Sequence, residues 1–583
     1  MIFADRTAIL YKMKEKKLIS EAAVNCAEFL CGLENDTSDD EKQALAAVSA
    51  LLFEWGSAGS ICLTEEDVVK FAAENRNDLP DGFPDWKKMT TALSGSSVCT
   101  CEPASDPRPI VSADGRIYFY KYWLYEDSLA GKVLKLSQGK GKFAGFSDKI
   151  KAVFDKLFDE ESSEQKNAAE TVIGNRFSVI TGGPGTGKTT TVAKILAGIL
   201  SVCPEARVIL AAPTGKAAAR MTEALIAATE KMERSRQAAD AETLGKIKSL
   251  KGLTLHKILG WKFGMPDKNM KNPIHADLII IDEASMVDLP MFSDLTDALY
   301  DETSLVLLGD KDQLASVDVG NVLGDICSAA EAGLFERNIA AKLTKSHRFE
   351  KHPAIGRLAE AVNGQKRADE VIRICKEEAD LAFTTQTVQE IAGKAAERYR
   401  FLSDTNLKPD EILDRLNGFK VLCPSKEDSF GVAKLNEAIE KALGKEGADA
   451  FYSGRPIMVT KNDYANTGLV NGDCGVILGK KAYFKTERGG STFPVAALPP
   501  VETVYAMTIH KSQGSEYSSV LAVLPEKDMP ILTKELLYTA ITRAREKVEI
   551  TAKESVLEYT LKNSAARNSG FENALKNLKT GNE

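Results

Sequence analysis

The sequence is poor in the residues that build metal and disulfide sites. Its 583 residues include ten cysteines and five histidines, with no C-x-x-C pair; the nearest thiols, Cys99 and Cys101, flank a single threonine. This lacks both the ligand spacing of a zinc centre and the paired framework of a small secreted domain, so reduced thiols in a cytosolic protein are expected. No run of about 18 apolar residues occurs, which excludes a hydropathy-coded membrane helix. The opening MIFADRTAILYKMKEKKLIS has neither the apolar core nor the cleavage site of an export signal. A soluble, cytoplasmic protein with no membrane partner is the expectation. Basic excess is missing too: 75 Lys and Arg against 83 Asp and Glu give a net charge of −8. No global field therefore advertises a polyanionic partner, although a channel on an acidic protein can be locally basic. What is present is an apolar fraction of 44%, and the length predicts about three or four domains, each able to bury a core.

One segment states a chemistry. Thr181–Thr190 reads TGGPGTGKTT, in which Gly182, Gly183, Pro184, Gly185, Thr186 and Gly187 form a phosphate loop leading into Lys188, Thr189 and Thr190. Backbone N–H groups at a helix N-terminus cradle a polyphosphate, Lys188 reaches the β and γ phosphates, and the Thr189 hydroxyl suits Mg²⁺. A nucleoside triphosphate such as ATP is the implied ligand. About a hundred residues on, the apolar run Leu278–Ile281 ends in Asp282 and Glu283. A buried parallel strand delivers its last residues to the ligand edge of a sheet, so Asp282 is expected to hold the Mg²⁺ and Glu283 to orient and deprotonate the attacking water. A further strand, Leu305–Leu308, ends in GDKDQ, which makes Gln313 a candidate γ-phosphate sensor. Cationic charge on the transferring phosphoryl group is also required. The candidates are Arg348 in LTKSHRF and Arg543 in LLYTAITRAR.

The rest of the chain organises around these strings. Strands at Val179, Val208–Ala212, Leu278–Ile281 and Leu305–Leu308, alternating with helical patterns, predict a parallel α/β sheet, and a second such region starts near Phe419. Residues 1–108 read as a small domain of short amphipathic helices, a candidate partner-binding unit. Residues 109–160 read as a hairpin around Asp114-Gly115, a β ribbon continuing through the aromatic run to Tyr125, and a linker or an exposed turn at Ser137–Lys142. The stretch Met221–Lys251, rich in Ala, Glu, Lys and Arg, reads as a solvated helix or mobile insertion, with tracking of a nucleic-acid backbone as the alternative. Short β runs with turns at Asn471-Gly472 and Gly489-Gly490 predict a β insertion at about 454–503, and the polar tail 564–583 is expected to fray.

The ordered strings resemble the RecD family of superfamily 1 helicases, the alpha subunits of exodeoxyribonuclease V. The resemblance runs from Gln165 in EQKNAAE, through TGGPGTGKTT, APTGKAAAR, Thr254-Leu-His256, IDEAS, GDKDQL, LTKSHRF and GRPIM, to NDY at Asn462–Tyr464, NGD at Asn471–Asp473, MTIHKSQGSE and LLYTAITRAR. It covers about residues 160–550 in the family's order. It implies two tandem RecA-like motor domains, at 161–345 and 346–563, with ATP between them, and an SH3-like β domain inserted in the second. It implies adenine reading by Gln165, and single-stranded DNA across both motors on Thr214, Lys216, Thr254 and His256 of the first and Thr508, His510 and Lys511 of the second. It also implies 5′ to 3′ translocation on single strands and duplex ends, and RecB-like and RecC-like partners in a heterotrimer. Two strings depart from the pattern: Ser316-Val-Asp-Val-Gly320 stands where a Gly-Pro-Gly turn is expected, and KEDSFGV at 426–432 replaces a more glycine-rich run. Three readings follow: the helicase subunit of a RecBCD-type complex acting in double-strand break repair and recombination, a stand-alone RecD-like helicase, and a catalytically inactive scaffold. The longer stand-alone relatives carry an extended N-terminal region, which favours the subunit, and the intact catalytic set opposes the scaffold. No nuclease activity is expected of this chain.

Overall fold

The computed structural model describes residues 8–34, 38–235, 239–262, 264–404, 406–463, 466–486, 489–565 and 567–580. Met1–Thr7 of the N-terminal reading, Arg236–Ala238 of the charged stretch, Tyr464 of its motif and the last three residues of the tail lie outside them.

The phosphate-loop strand lies inside a six-stranded parallel sheet. Its strand order is Ala340–Leu343, Phe177–Gly182, Ser304–Gly309, Leu278–Ile281, Val208–Ala212 and Gly252–Thr254. Successive side chains of a strand point to opposite faces, and here both faces are apolar. Val179, Ile281 and Leu307 enter one buried cluster, whereas Ile180, Ile280 and Leu308 enter another, as expected of a parallel sheet covered by helices on both sides. The phosphate-loop helix Lys188–Val202 and the helix Gly215–Arg234 cover one face.

Covering the other face are two elements that the sequence does not predict there. The aromatic run expected as β ribbon opens the 19-residue helix Tyr120–Gln138, because Leu129, Val133, Leu134 and Leu136 continue it at helical spacing onto the sheet. The tail expected to fray forms the helix Phe571–Thr580, whose Phe571 and Leu575 are buried in the same cluster. By contrast, the charged stretch after Met221 is the helix of its first reading rather than a mobile insertion, with one side buried. It continues the amphipathic helix Gly215–Arg234, burying Met221, Leu225 and Met232, and resumes as helix Ala241–Ser249. Ser137 belongs to the long helix, and Lys140 bridges to Asn175, so this stretch is tied to the first parallel-sheet domain and does not act as a linker.

The hairpin Ile110–Ala113/Arg116–Phe119 pairs with Cys62–Thr64 and Cys99–Thr100 in a four-stranded sheet. The N-terminal unit is thus helices plus this sheet, and the hairpin is part of it. A second parallel sheet has the order Leu381–Thr384, Ala544–Thr551, Tyr517–Val523, Phe419–Cys423 and Ala506–Thr508, so it begins in sequence before Phe419. Between its strands lies a five-stranded antiparallel sheet, Gly489–Pro494, Lys481–Thr486, Cys474–Leu478, Pro456–Val459 and Val501–Thr503, around Ile457, Ile477 and Phe484. No described helix is long and apolar enough to cross a membrane.

Candidate nucleotide cleft

Gly187, at φ 84°, turns the chain from the phosphate loop into the helix that starts at Lys188. Close approach also demands glycine at Gly185 (φ 78°), where a Cβ would lie 2.3 Å from Arg348 Cβ; one at Gly187 would press on the end of the Gln165 side chain, 2.6 Å from Nε2. The Gln165 amide donates to Thr186 O at 3.5 Å. Lys188 Nζ donates to Gly182 O and Gly183 O at 2.5 and 3.2 Å, which holds the ammonium over its own loop. From the far side, Ser346 Oγ donates to Pro184 O at 2.9 Å and His347 N to Gly185 O at 3.0 Å.

The cleft is about 710 Å³, and its lining contains Gln165, the loop from Pro184 to Thr190, Asp282, Glu283, Gln313, Arg348 and Arg543. Gly182 and Gly183 lie behind it. Glu283 has φ 52° and ψ 41°, a left-handed conformation that costs a non-glycine residue on the order of 1–3 kcal/mol and concentrates at functional sites. Its N–H folds onto Asp282 Oδ1 at 2.9 Å. Burial, then the neighbouring Glu283 charge, pushes the Asp282 carboxyl up to about 6, while Lys188 and Arg220 pull it back. Thr189 and Asp282 both offer oxygen donors to this cleft, a set that suits a hard divalent cation.

Gln313 stands at the junction of the two parallel-sheet domains. Its Nε2 donates to Asp310 Oδ2 at 2.8 Å, and its Oε1 accepts from Arg543 Nη2 at 2.9 Å. Arg543, only 3% exposed, also donates to Thr539 O and Ser515 O. Asp310 accepts in addition from Tyr538 Oη at 3.2 Å, and burial raises its carboxyl above the usual range. Arg348 donates to Thr542 O at 3.3 Å and pairs with Glu516. Glu516 also takes Arg220 and Arg545. Arg220, Asp310, Glu516 and Tyr538 all lie within quoted motifs, yet sequence reasoning gave them no role. Arg220 and Glu516 are 296 positions apart, and no local pattern encodes such a pairing.

The seven expected DNA-contact residues do not gather in one place. Thr214 and His256 line one hollow with Val317, Asp318 and Gln513, and Thr508 and Lys511 another with Lys426 and Glu502. Thr214 caps helix Gly215–Arg234 through Ala217 N at 3.2 Å, and Thr254 caps helix Leu255–Ile258 through Lys257 N at 3.2 Å. Lys216 lies 3.8 Å from where a Cβ on Gly472 would stand, so it faces the inserted β sheet. Lys511 Nζ pairs with Glu502 at 2.5 Å. The His510 imidazole is pushed below its ordinary value by burial and then by Arg567.

Residues 165–319 match the AAA domain family, and residues 503–551 match the UvrD-like helicase C-terminal domain. The RecBCD enzyme subunit RecD of Mycobacterium tuberculosis is 34% identical over 96% of this chain and 95% of its own length. The chain belongs to the RecD family. The RecBCD enzyme subunit RecD of Haemophilus influenzae is 31% identical over 98% of this chain and 100% of its own. A more distant RecD-family relative, the ATP-dependent RecD2 DNA helicase of Deinococcus radiodurans, is 30% identical over 76% of this chain and 57% of its own.

Proposed function

We propose that this chain is an ATP-dependent 5′ to 3′ DNA helicase, the motor subunit of a RecBCD-type helicase-nuclease that works with RecB-like and RecC-like subunits on DNA ends in double-strand break repair. One observation carries the reading: Lys188, Asp282 and Glu283 of one parallel-sheet domain share a cleft with Arg543 of the other and with Arg348 between them. In it, Lys188 binds the triphosphate, Glu283 takes the proton of the attacking water, and Gln313 links the γ-phosphate position to Arg543. Arg348 and Arg543 stabilise charge on the transferring group, a service worth roughly 10³–10⁵ in rate. Thr189 and Asp282 would hold Mg²⁺, which neutralises phosphate charge when bound. Because the arginines reach the cleft from beyond the first sheet, hydrolysis is tied to domain closure, and closure moves strand contacts such as Thr214 and Thr508 relative to each other. The compact antiparallel sheet between 456 and 503 supports an SH3-like insertion. The subunit role is favoured over a stand-alone helicase because the subunit relative aligns over 96% of this chain and RecD2 over 76%.

The test is ATP hydrolysis with and without single-stranded DNA by the wild type and Lys188→Ala, with strand displacement on 5′- and 3′-tailed duplexes. DNA-stimulated turnover lost in the variant, and displacement from the 5′ tail, are expected. No turnover above the variant, with the partners supplied, would overturn the motor; displacement from the 3′ tail alone would overturn the polarity.

A further inference from the structure

The loop Ser316-Val-Asp-Val-Gly320 walls the hollow that holds Thr214 and His256. A proline presets φ in such a turn. Here nothing in the loop does so, yet the loop leaves directly from Gln313 and Leu314, so its path bears on the catalytic junction. Within the loop, Ser316 Oγ donates to Asp318 O at 2.9 Å and to Gly320 O at 3.0 Å, and Leu289 N donates to Val319 O at 3.0 Å; the remaining hold comes from the segment expected to fray. Arg567 Nη2 donates to Ser316 O at 2.6 Å, and Nη1 to Asp318 O at 2.6 Å, Gly320 O at 2.8 Å and Ser316 Oγ at 3.2 Å. Three carbonyls of one loop converge on a single planar guanidinium, a pattern that a five-donor fork satisfies and a lysine does not.

Arg567 is itself fixed from the N-terminal unit. Asn568 O accepts Ile61 N at 2.9 Å, Asn568 Nδ2 reaches Asp67 Oδ2 at 2.6 Å, and Gly320 N donates to Gly59 O at 2.9 Å. Gly59 sits at φ 96°, and a Cβ there would lie 2.5 Å from Arg567 Cζ, so the N-terminal unit leaves room for the guanidinium.

We propose that Arg567 is a positioning residue for DNA-coupled ATP turnover: it clamps the carbonyls of the Ser316–Gly320 loop, and so holds the strand-facing wall and the exit from Gln313 in one arrangement. This inference rests on the DNA-motor reading above. It assigns the N-terminal unit a share in coupling, because that unit fixes both the loop and the neighbour of the residue that clamps it.

The experiment measures ATP turnover by the full chain, with its partners, across a titration of oligo-dT. It uses the wild type, Arg567→Ala, and Arg567→Ala combined with Val317→Pro and Asp318→Gly, which leave the Ser316 hydroxyl in place. Loss of the clamp is expected to lower the ratio of DNA-stimulated to DNA-free turnover by about fivefold or more and to raise the half-saturating DNA concentration, with KM for ATP shifting by less than about twofold. The built-in Pro-Gly turn is expected to restore the ratio, which a purely structural role for Arg567 would not allow. Stimulation of Arg567→Ala equal to wild type overturns the inference, as does a loss that the loop substitutions leave unrepaired. A wild type that DNA does not stimulate overturns both this inference and the DNA-motor reading.

Discussion

Glu283 lines the cleft on a strained turn of backbone. Its left-handed φ and ψ turn the chain sharply after the strand, and the N–H that this releases is satisfied by Asp282. A general base contributes roughly 10²–10⁴-fold. Glu283→Gln keeps the shape and the hydrogen-bonding reach but cannot accept the proton from water. Its kcat for ATP is therefore expected to fall by a factor on the order of 10²–10⁴ with KM nearly unchanged, in steady-state hydrolysis at saturating DNA. A rise in KM at constant kcat would assign Glu283 to ground-state binding. Glu283 and Lys188 are legible in the sequence because a strand followed by two acids, and a glycine loop followed by Lys-Thr, are contiguous strings whose chemistry follows from their order. Arg220, Asp310 and Glu516 are not, since each acquires its role from a partner on another element.

At the scale of elements, helices Tyr120–Gln138 and Val322–Glu331 bring two carboxyls together beneath the last segment of the chain. Glu126 is 2% exposed, and both of its oxygens accept Gly570 N, at 3.0 and 2.9 Å. Burial raises it to about 7, and burial, then the charge of Glu126, raises Asp325 to about 8. An unfolded chain releases these protons near pH 4, whereas the folded chain keeps them to about 7–8. Between those limits the folded state binds more protons, so this pair makes stability fall as pH rises. Asp325→Asn cannot ionise and should escape its share of that fall. Scanning calorimetry at about pH 5 to 8 is expected to show the variant's Tm gaining on the wild type with each step, and a constant gap would remove Asp325 from the linkage. These same elements are where sequence reasoning failed. Tyr120–Tyr125 has strong strand propensity, but propensity is weak beside packing, and the apolar spacing that follows pulls the aromatics into a helix. In the tail, Phe571, Ala574, Leu575 and Leu578 carry helical periodicity that the polar composition obscures. The strands Val208–Ala212 and Leu278–Ile281 were readable because their apolar runs, buried on both faces, end at turn residues.

Across the whole molecule, Glu516 is the point where the motors share a charge. It is 9% exposed and pairs with Arg220 from the first motor, with Arg348 and with Arg545 from the second. Burial and then the charges of Arg220, Arg543 and Arg545 pull the Arg348 guanidinium well below its ordinary value, so the Glu516 carboxylate offsets a repulsion that the cleft itself creates. Removing one partner of a buried ionic group costs roughly 3–5 kcal/mol, because the remaining charges are left uncompensated. Here those charges are cations facing a triphosphate site, which sets the sign of the functional effect. Glu516→Ala frees Arg348 from its position and removes an anion from the cleft. The arginine then stabilises the transition state less well, while the field attracting the nucleotide grows. The variant is expected to lose roughly a hundredfold in kcat for DNA-stimulated hydrolysis while KM for ATP stays level or falls, a split that marks a group acting on the transition state. A rise in KM with kcat retained would mean that Glu516 serves nucleotide binding directly and that the three arginines keep their places without it.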